Sequence, residues 1–473
     1  MHSPPLRLVA ALLLGATLAG CGKSLPSEGH SRREAVTTVA GTSQLAASGL
    51  ATGNTTRLGG ANPVADAAAV ALATYPGLTP ATRPQAVVLV DDRDWTAALA
   101  ASALASAPLR APILYSEGSS LPALSAQALA ALKPTGAARL GGAQVIEVGT
   151  ATAPAGYRTL ALSGSSTGSA DGKPSETPGS TSGAGSTTGE AGGSGPAAVA
   201  AQVERLVATL HGGRPHRVIV VGADGPPALA MPAAGLAAES GAPILPVNAV
   251  GIPLATRRVL ARLRRPVIYA VGPPAAVSHA VLAKLTRFGA VRQIHPTPGA
   301  NGATGPGTSG EDPVDNAIAV ARYSDGPFGW GVEQPGHGLV FARASRPLDA
   351  PAAAPLSANG DYAPLLLLEA PNQVPTVLRE YLSDIQPAYT DAPEYQPVHG
   401  AYNHGWLIGD EAAITPIVQA ELDAMLEIAP QGAASSTTPA APASTEPPTT
   451  TEPTASTPST TGPSAATPPT TKP

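Results

Sequence analysis

Short apolar runs alternate with longer Ala-rich segments along most of the chain, and one such run occurs three times. It reads Pro112-Ile113-Leu114, then Pro243-Ile244-Leu245, then Pro364-Leu365-Leu366, at intervals of roughly 125 residues. Each copy has a helix-like segment before and after it, as a buried strand between two helices would. The pattern therefore predicts three diverged copies of one module.

The remaining periodicity fills in each copy with the same alternation. In the first module the predicted strands are 86–90, 112–116 and a weaker one near 137–140, and the predicted helices are 65–74, 94–106 and 121–132. In the second they are strands 217–221, 243–247 and 266–271, and helices 227–240, 253–264 and 275–288. In the third they are strands 338–342, 364–368 and 406–408, and helices 349–358, 372–382 and 411–427. Such alternation predicts an α/β fold of three tandem Rossmann-like modules with parallel sheets.

Two further echoes support the repeat. Residues 60–67 are matched by residues 310–317, and in both segments Pro follows a helix-capping residue, Asn62 or Asp312. Residues 271–285 are matched in the same way by residues 408–422. Three patterns that recur in one order are not expected by chance.

Composition divides the rest of the chain around these modules. The predicted parts are a signal peptide (1–20), a polar tether (21–54), module 1 (55–162), a Gly/Ser/Thr-rich linker (163–195), module 2 (196–296), a Gly-rich linker (297–310), module 3 (311–430) and a Thr/Pro-rich disordered tail (431–473). Within module 1, Gly141-Gly142 is followed by a strand-like run at 144–148, so that module is expected to lack its last helix.

The N-terminus carries the most specific local signal. A short basic region with Arg7 precedes an apolar stretch over 8–18, and the run ends Leu18-Ala19-Gly20-Cys21. This resembles the lipobox of bacterial lipoproteins, which implies cleavage before Cys21 and a diacylglyceryl group on its thiol. The alternative is a plain secretory signal with an incidental cysteine. The expected location is the extracytoplasmic face of the cell membrane, lipid-anchored and in contact with the wall.

Overall composition restricts the function further. Hydrophobic residues make up 43% of the chain but aromatic residues only 3%, so the core must be built from small and aliphatic side chains. The net charge of -5 argues against a nucleic-acid partner, because such proteins normally carry a basic domain.

The repeated residues resemble the cell wall-binding repeat 2 modules of Gram-positive surface proteins. The opening 57–62 is similar to the family pattern Arg-Leu-x-Gly-x-Asp, the repeated strand to Pro-Ile-Leu-Leu, and residues 271–278 to Val-Gly-Gly-x-x-x-Val-Ser. The sequence departs from the family where Pro63-Val64 replaces Arg-Tyr, and its helix-start Asp is kept only as Asp349. The resemblance covers about residues 55–428. It implies Rossmann-like modules in a pseudo-threefold arrangement that bind anionic wall polymers without covalent linkage.

Several patterns typical of enzymes or metal sites are present, and their context argues against each. Residues 164–168 match a nucleophile elbow and residues 305–310 a dinucleotide fingerprint, but both lie in low-complexity linkers. Asp91-Asp92-Arg93-Asp94 ends a predicted strand and could hold a cation, although Asp94 is better explained as a helix cap. His399, His404 and Asp410 cluster without a recognised zinc spacing. We therefore expect no metal, no cofactor and no catalysis.

The densest basic patch is the best candidate for polymer binding. It comprises Arg257, Arg258, Arg262 and Arg265, three of which share one face of the helix predicted there. The planar guanidinium group suits phosphate and carboxylate, which fits a teichoic acid or an acidic polysaccharide. The alternative is an ordinary solvated helix surface.

The sequence thus predicts an exported, lipid-anchored surface protein that binds anionic wall polymer through three modules. Two alternatives stay open. A solute-binding lipoprotein of a transporter would show two lobes around one cleft, and an enzyme of wall metabolism would need a catalytic domain.

Overall fold

A computed structural model of the chain describes residues 51–163, 195–296, 311–358, 363–389, 397–399 and 402–430. The expected signal peptide, most of the tether and of the first linker, the second linker, and the tail lie outside the described residues. The described helices are α1 (Pro63–Thr74), α2 (Trp95–Ala101), α3 (Ala123–Leu132), α4 (Pro196–His211), α5 (Pro232–Ser240), α6 (Leu254–Leu263), α7 (His279–Leu285), α8 (Pro313–Arg322), α9 (Asp349–Ala358), α10 (Thr376–Asp384) and α11 (Pro416–Leu426). The described strands are β1 (Thr55–Leu58), β2 (Val87–Asp91), β3 (Ile113–Ser116), β4 (Val145–Val148), β5 (Thr159–Leu162), β6 (Arg217–Gly222), β7 (Ile244–Val247), β8 (Val267–Val271), β9 (Ala290–Ile294), β10 (Ser324–Asp325), β11 (Phe328–Gly329), β12 (Gly338–Arg343), β13 (Leu365–Leu368), β14 (Ala388–Tyr389), β15 (Pro397–His399), β16 (His404–Ile408) and β17 (Ala429–Pro430).

Three parallel sheets of four strands form the framework. Their strand orders are β3-β2-β4-β5, β7-β6-β8-β9 and β13-β12-β16-β1. Every pairing within them is parallel. The predicted α/β class with parallel sheets is confirmed. The hairpin β10–β11 and a small sheet of β15, β14 and β17 are additions to the third module.

The repeated apolar run forms the same edge strand in all three sheets. Its proline comes just before the strand, and the proline carbonyl accepts a hydrogen bond from the central strand: Val88 N to Pro112 O and Ile219 N to Pro243 O at 2.9 Å, and Val340 N to Pro364 O at 3.0 Å. Proline has no N–H to donate, so it is tolerated at the start of an edge strand. The edge position of these strands therefore explains why all three copies in this chain have a proline followed by three apolar residues.

The segment after each edge strand is also repeated. A narrow turn is closed by a bridge between Glu117 and Ser120, between Asn248 and Gly251, and between Ala370 and Gln373. Each turn leads to a proline at the helix cap, in the order Pro122, Pro253 and Pro375. In the first two modules a buried hydroxyl in the first turn bonds back to the strand, Ser125 to Tyr115 O at 2.6 Å and Thr256 to Pro246 O at 2.8 Å. The three modules thus share local geometry as well as strand order.

The third sheet is completed by β1, the first strand among the described residues. β1 pairs with β16, from Thr55 beside Gly405 to Leu58 beside Ile408. Just beyond the paired segment, a glycine N–H donates to the carbonyl of the last residue of the outer strand, and this bond occurs in all three sheets. The bonds are Gly149 N to Leu162 O at 3.0 Å, Gly272 N to Ile294 O at 2.9 Å, and Gly409 N to Leu58 O at 2.9 Å. β1 therefore takes the place that β5 and β9 take in the other two sheets. Sequence analysis did not predict this pairing.

A buried arginine fixes that first strand. The Arg57 side chain is 1% exposed, and its Nε and Nη2 donate to Gln419 Oε1 at 3.1 and 2.9 Å. Its Nη1 donates to the carbonyls of Asp410 and Gly409 at 2.7 and 3.2 Å. Burial lowers the pKa of Arg57, while the carboxylates of Glu411 and Asp410 raise it. A guanidinium surrounded by matched oxygen acceptors can be buried where an unpaired one could not.

Small-residue helices form the contact between modules. The helices that follow the central strand of each sheet are α2 with its 3₁₀ extension, α5 and α9, and they pack against one another. Residues 96–105, 232–238 and 349–358 are buried throughout. A Cβ on Gly235 of α5 would lie 2.7 Å from Ser357 Oγ of α9, so only glycine allows this approach. Helices buried on all sides need no polar face, which accounts for their Ala-rich composition.

An aromatic cluster joins the second and third modules. Tyr269 of β8 stacks on Phe328 of β11 with ring centroids 3.7 Å apart, and Tyr323 lies edge-on to both. Asp325 accepts from Tyr269 at 2.7 Å and pairs with Arg292 of β9 at 2.7 Å. The hairpin β10–β11 therefore packs against β8 and β9 of the second sheet.

Some predicted elements differ from the structure. The weak strand expected near 137–140 is a 3₁₀ turn, Ala138–Leu140, and the third strand of that sheet is β4 instead. The helix expected over 275–288 is shorter, because Ser278 caps α7. Among the described residues no helix lies between β4 and β5, as expected from the Gly-Gly pair in module 1. The exact module boundaries stay a prediction.

The closure by β1 gives a direct stability test. We expect Arg57→Ala to lower the free energy of unfolding by about 3 kcal/mol, because it opens a cavity and leaves buried oxygens of Gln419 and residues 409–410 without donors. Urea unfolding followed by circular dichroism measures this. Arg287→Ala removes an exposed arginine and should change the value by less than about 0.5 kcal/mol. Equal effects of the two substitutions would contradict the assigned role of Arg57.

Candidate functional site

The arginines singled out in the sequence lie on and just beyond α6. Arg257 and Arg258 are exposed on the helix, and neither forms a salt bridge with another described residue. The helix ends at Leu263, and Arg264 and Arg265 follow it in the left-handed conformation, with φ of 57° and 65°. Arg265 therefore does not continue the helical face of Arg258, although it is exposed close by.

Arg262 has a structural partner. Its guanidinium pairs with the carboxylate of Glu204 on α4, whose side chain is 1% exposed. Burial raises the pKa of Glu204, and the charge of Arg262 opposes that rise. The ion pair holds Arg262 against α4. Removing Arg262 would leave the buried charge of Glu204 without compensation. The exposed cations in this region are Arg257, Arg258, Arg264 and Arg265, and together they form the α6 arginine surface. Their role in binding polymer stays a prediction.

The acidic run after β2 is used within the fold. Asp91 accepts from Arg93 Nε and Nη2 at 3.0 Å each, from Thr150 Oγ1 at 2.5 Å and from Gly118 N at 3.1 Å. Burial tends to raise the pKa of Asp91, but these hydrogen bonds outweigh it and hold the pKa well below its usual range. Asp94 caps α2 through Ala97 N at 2.9 Å, as predicted. Asp91 thus ties together three loops at the carboxyl edge of the first sheet.

His404 and Asp410 each have partners of their own in the third module. His404 Nε2 lies 3.1 Å from Thr56 Oγ1, and its ring is edge-on to Trp406. Asp410 accepts from the backbone N–H groups of Ala412 and Ala413 at 3.1 and 3.0 Å. The side chain of His399 is outside what the structure describes. In the described ranges, no three His, Cys, Asp or Glu side chains are grouped as metal ligands would be.

A buried cluster of two carboxyl groups and one arginine joins the first and third modules. Asp66 of α1 and Asp349 of α9 are both 0% exposed, and Arg346 bonds to each, to Asp349 Oδ2 at 2.8 Å. Asp66 also accepts from Gly60 N at 2.6 Å. Sequence analysis noted Asp349 only as a helix start and missed its partner. The signal available was Asp66 itself, an acid on the apolar face of an Ala-rich helix.

Both carboxyl groups hold their protons more tightly than an exposed Asp does. They lie around the same guanidinium, so the titration of each depends on the charge of the other. Burial raises the pKa of Asp66 to about 6, with Arg346 opposing the rise. Burial and the neighbouring charge of Asp66 raise the pKa of Asp349 well above its ordinary range. Acidic residues with shifted pKa values often mark active sites. This pair, however, is buried in the contact between the first and third modules and has no access to solvent. It is therefore part of the assembly of the fold.

The pattern at 164–168 that matches a nucleophile elbow and the pattern at 305–310 that matches a dinucleotide fingerprint both lie outside the described residues. Within the part of the chain that the structure describes, every helix is too short or too polar to cross a bilayer.

Comparison with known proteins identifies the fold. No protein-family model matches the sequence, and no curated protein sequence matches it. Cwp6 from Clostridium difficile is similar in structure, with a TM-score of 0.55 and 15% identity over 79% of this chain and 48% of that one. Cwp8 from Clostridium difficile is similar with a TM-score of 0.52 and 17% identity over 79% of this chain and 52% of that one.

The chain thus spans about half the length of these two proteins. At such identities the likeness shows the shared fold. It fits the resemblance to the cell wall-binding repeat family that the sequence carries.

The raised pKa values of the buried carboxyl pair make stability depend on pH in a defined direction. The folded chain keeps a proton on Asp66 up to about pH 6, whereas an unfolded Asp releases it at about pH 4. The stability contributed by this proton is therefore complete below about pH 4 and is lost as pH rises through about 6. Asp349→Asn removes one of the two buried titrating groups and should flatten this part of the profile.

Urea unfolding across about pH 4 to 7 measures the effect. We expect the stability of the native protein, relative to the Asp349→Asn variant, to fall by about 2 kcal/mol over that range. Glu380→Gln, at an exposed position on α10, should leave the profile parallel to that of the native protein. Parallel profiles for the native protein and Asp349→Asn would refute a raised pKa of Asp349 in the folded protein.

Proposed function

We propose that this protein associates non-covalently with an anionic polymer of the cell wall through its three-module body, and that it has no catalytic activity of its own. The observation that carries the proposal is the fold. Three parallel sheets with one strand order form the framework of the described residues, and Cwp6 and Cwp8, which are cell wall proteins, share this architecture over 79% of the chain. Three equivalent sheets favour a repeat protein over the two lobes of a solute-binding lipoprotein.

The charge arrangement of the second module supports the choice of ligand. Arg257, Arg258, Arg264 and Arg265 are exposed, and within the described residues none of them is neutralised by an ion pair. Each guanidinium offers a planar fork of N–H donors to phosphate or carboxylate oxygens. A teichoic acid or an acidic polysaccharide presents such groups at regular intervals. Several weak contacts along one polymer can then add up to stable attachment.

The same proposal includes a lipid anchor at the N-terminus. Cys21 is the single cysteine of the chain and follows an apolar stretch in the manner of a lipobox. A diacylglyceryl group on its thiol would hold the protein on the outer face of the cytoplasmic membrane, because two acyl chains anchor stably where one does not. Wall binding would then provide a second attachment point for the same molecule.

Cosedimentation with purified cell walls tests polymer binding. We expect the delipidated protein to sediment with walls at low ionic strength and to be released as salt is raised, because the contacts are largely electrostatic. Arg257→Glu combined with Arg258→Glu should weaken this binding by about tenfold or more.

The control for charge alone is Lys133→Glu combined with Arg287→Glu. These positions are exposed as well, and the change in net charge is the same, so this variant should still bind. Failure of the native protein to sediment with walls at low salt would rule out polymer binding as the main function.

Cell fractionation tests the anchor separately. Cys21→Ala removes the thiol that would carry the lipid, so the protein should move from the membrane fraction to the medium or the wall fraction. Cys21→Ser is a second variant that removes the same thiol with the least change in size. If either variant stays in the membrane fraction as the native protein does, lipidation of Cys21 is wrong.

A further inference from the structure

A basic cavity lies at the amino ends of the strands in the second module. Its volume is about 300 Å³, and it is formed where α4 and α5 end and where β6 and β7 begin. The residues that shape it are His211, Arg214, His216, Arg217, Ser240 and Gly241. The edge concerned is opposite the one that carries the turns after the repeated strands. It is therefore distinct from the Asp91 loops and from any site at the carboxyl edge of a sheet.

The charge of the cavity is one-sided. Among the described residues that line it, four are basic and none is acidic. Neither Arg214 nor Arg217 forms a salt bridge with a described residue. His211 lies in the last turn of α4, where the helix dipole favours a cation, but Arg214, His216 and Arg217 lie beyond that helix. The helix dipole therefore explains only His211 among the four basic residues.

An acid that interacts with Arg217 compensates its charge incompletely. Glu239 lies at the end of α5, and burial raises its pKa to about 7, with Arg217 opposing the rise. Its Oε2 is buried and has no hydrogen-bond partner within the described part of the chain. A carboxyl group with such a pKa carries only part of a negative charge at neutral pH, so Arg217 keeps attraction for an external anion.

The backbone holds the cavity open. Gly212 and Gly241 end α4 and α5 in the left-handed conformation, both with φ of 69°. A Cβ on Gly241 would lie 3.3 Å from His211 Nε2 and 3.4 Å from Ser106 Oγ of the first module. A side chain at this position would thus crowd the gap between His211 and the neighbouring module. Glycine ends the helix here and leaves space next to the imidazole.

From this arrangement we infer that the cavity binds one phosphorylated sugar unit. The four basic residues that line the space can offer several N–H donors, which suits a phosphate group with three or four acceptor oxygens better than a planar carboxylate with two. A volume of about 300 Å³ is at the small end of ligand sites and suits a single sugar residue. The inference rests on the proposed function, since the sugar phosphate would be a unit of the wall polymer, and it assigns recognition to a cavity as well as to the α6 arginine surface.

Calorimetric titration of the full-length protein with glucose 6-phosphate tests the site. The expected result is saturable binding with one site per chain, no heat with glucose, and weaker binding with glucuronate. Arg214→Gln combined with Arg217→Gln should weaken the phosphate binding at least about tenfold. Arg257→Gln combined with Arg258→Gln should bind as the native protein does, because α6 does not line the cavity.

Folding of each variant is checked by its urea unfolding midpoint. If the double cavity variant is unstable, Arg214→Gln alone replaces it, since Arg214 is exposed. Native-like binding by a folded cavity variant, or equal binding of glucose and glucose 6-phosphate, would overturn the inference.

Wall cosedimentation of the same variants separates this inference from the proposed function. If walls bind the native protein but glucose 6-phosphate does not, the cavity inference fails and the wall-binding proposal stands. If glucose 6-phosphate binds as expected but walls do not sediment the protein, the cavity inference stands and the wall-binding proposal fails.

Discussion

The structure depends on the addition of β1 to the sheet built by the last module. This pairing joins residues about 350 positions apart, so it closes a long loop whose entropy must be offset by good local contacts. Arg57 supplies them through hydrogen bonds to Gln419 and to the backbone of residues 409–410. Asp423 adds further contacts by accepting from Thr52 and Asn54. Because β1 leads directly into α1 of the first module, the same contacts tie the first module to the third.

The contact between modules also sets the composition of the chain. Three helices pack against one another with every side chain of long segments buried, so they must be narrow, and Ala, Gly and Ser satisfy that requirement. The low aromatic content is thus a consequence of the architecture. Three aromatic residues pack together at a different contact, where Tyr269, Tyr323 and Phe328 fill the space beside the hairpin of the third module. The buried carboxyl pair of Asp66 and Asp349 is the third device that joins modules.

Much of this fold could be predicted from the sequence, and the failures have physical reasons. The strands β3, β7 and β13 were predictable because the same apolar run recurs three times, although their edge position was not predicted. β5 and β9 escaped prediction because they are short outer strands with alternating exposure, and β1 because it carries a buried arginine that looks like a surface residue. Helical spacing predicted one shared face for Arg258, Arg262 and Arg265, but the helix ends at Leu263, before Arg265. The pairing of Arg262 with Glu204 was not predictable from spacing, since the two are 58 residues apart.

A protein with a net negative charge can bind an anionic polymer if its positively charged residues are concentrated in one region. At physiological ionic strength, charges separated by more than about 8 Å are largely screened, so the net charge of -5 matters less than the groups near the ligand. In this chain Asp66, Asp91, Asp349 and Glu204 are all held by internal hydrogen bonds or ion pairs. The second module, by contrast, exposes arginines on α6 and gathers basic side chains around one cavity. On the proposed function, this exposed positive charge of the second module is the surface that an anionic polymer would contact.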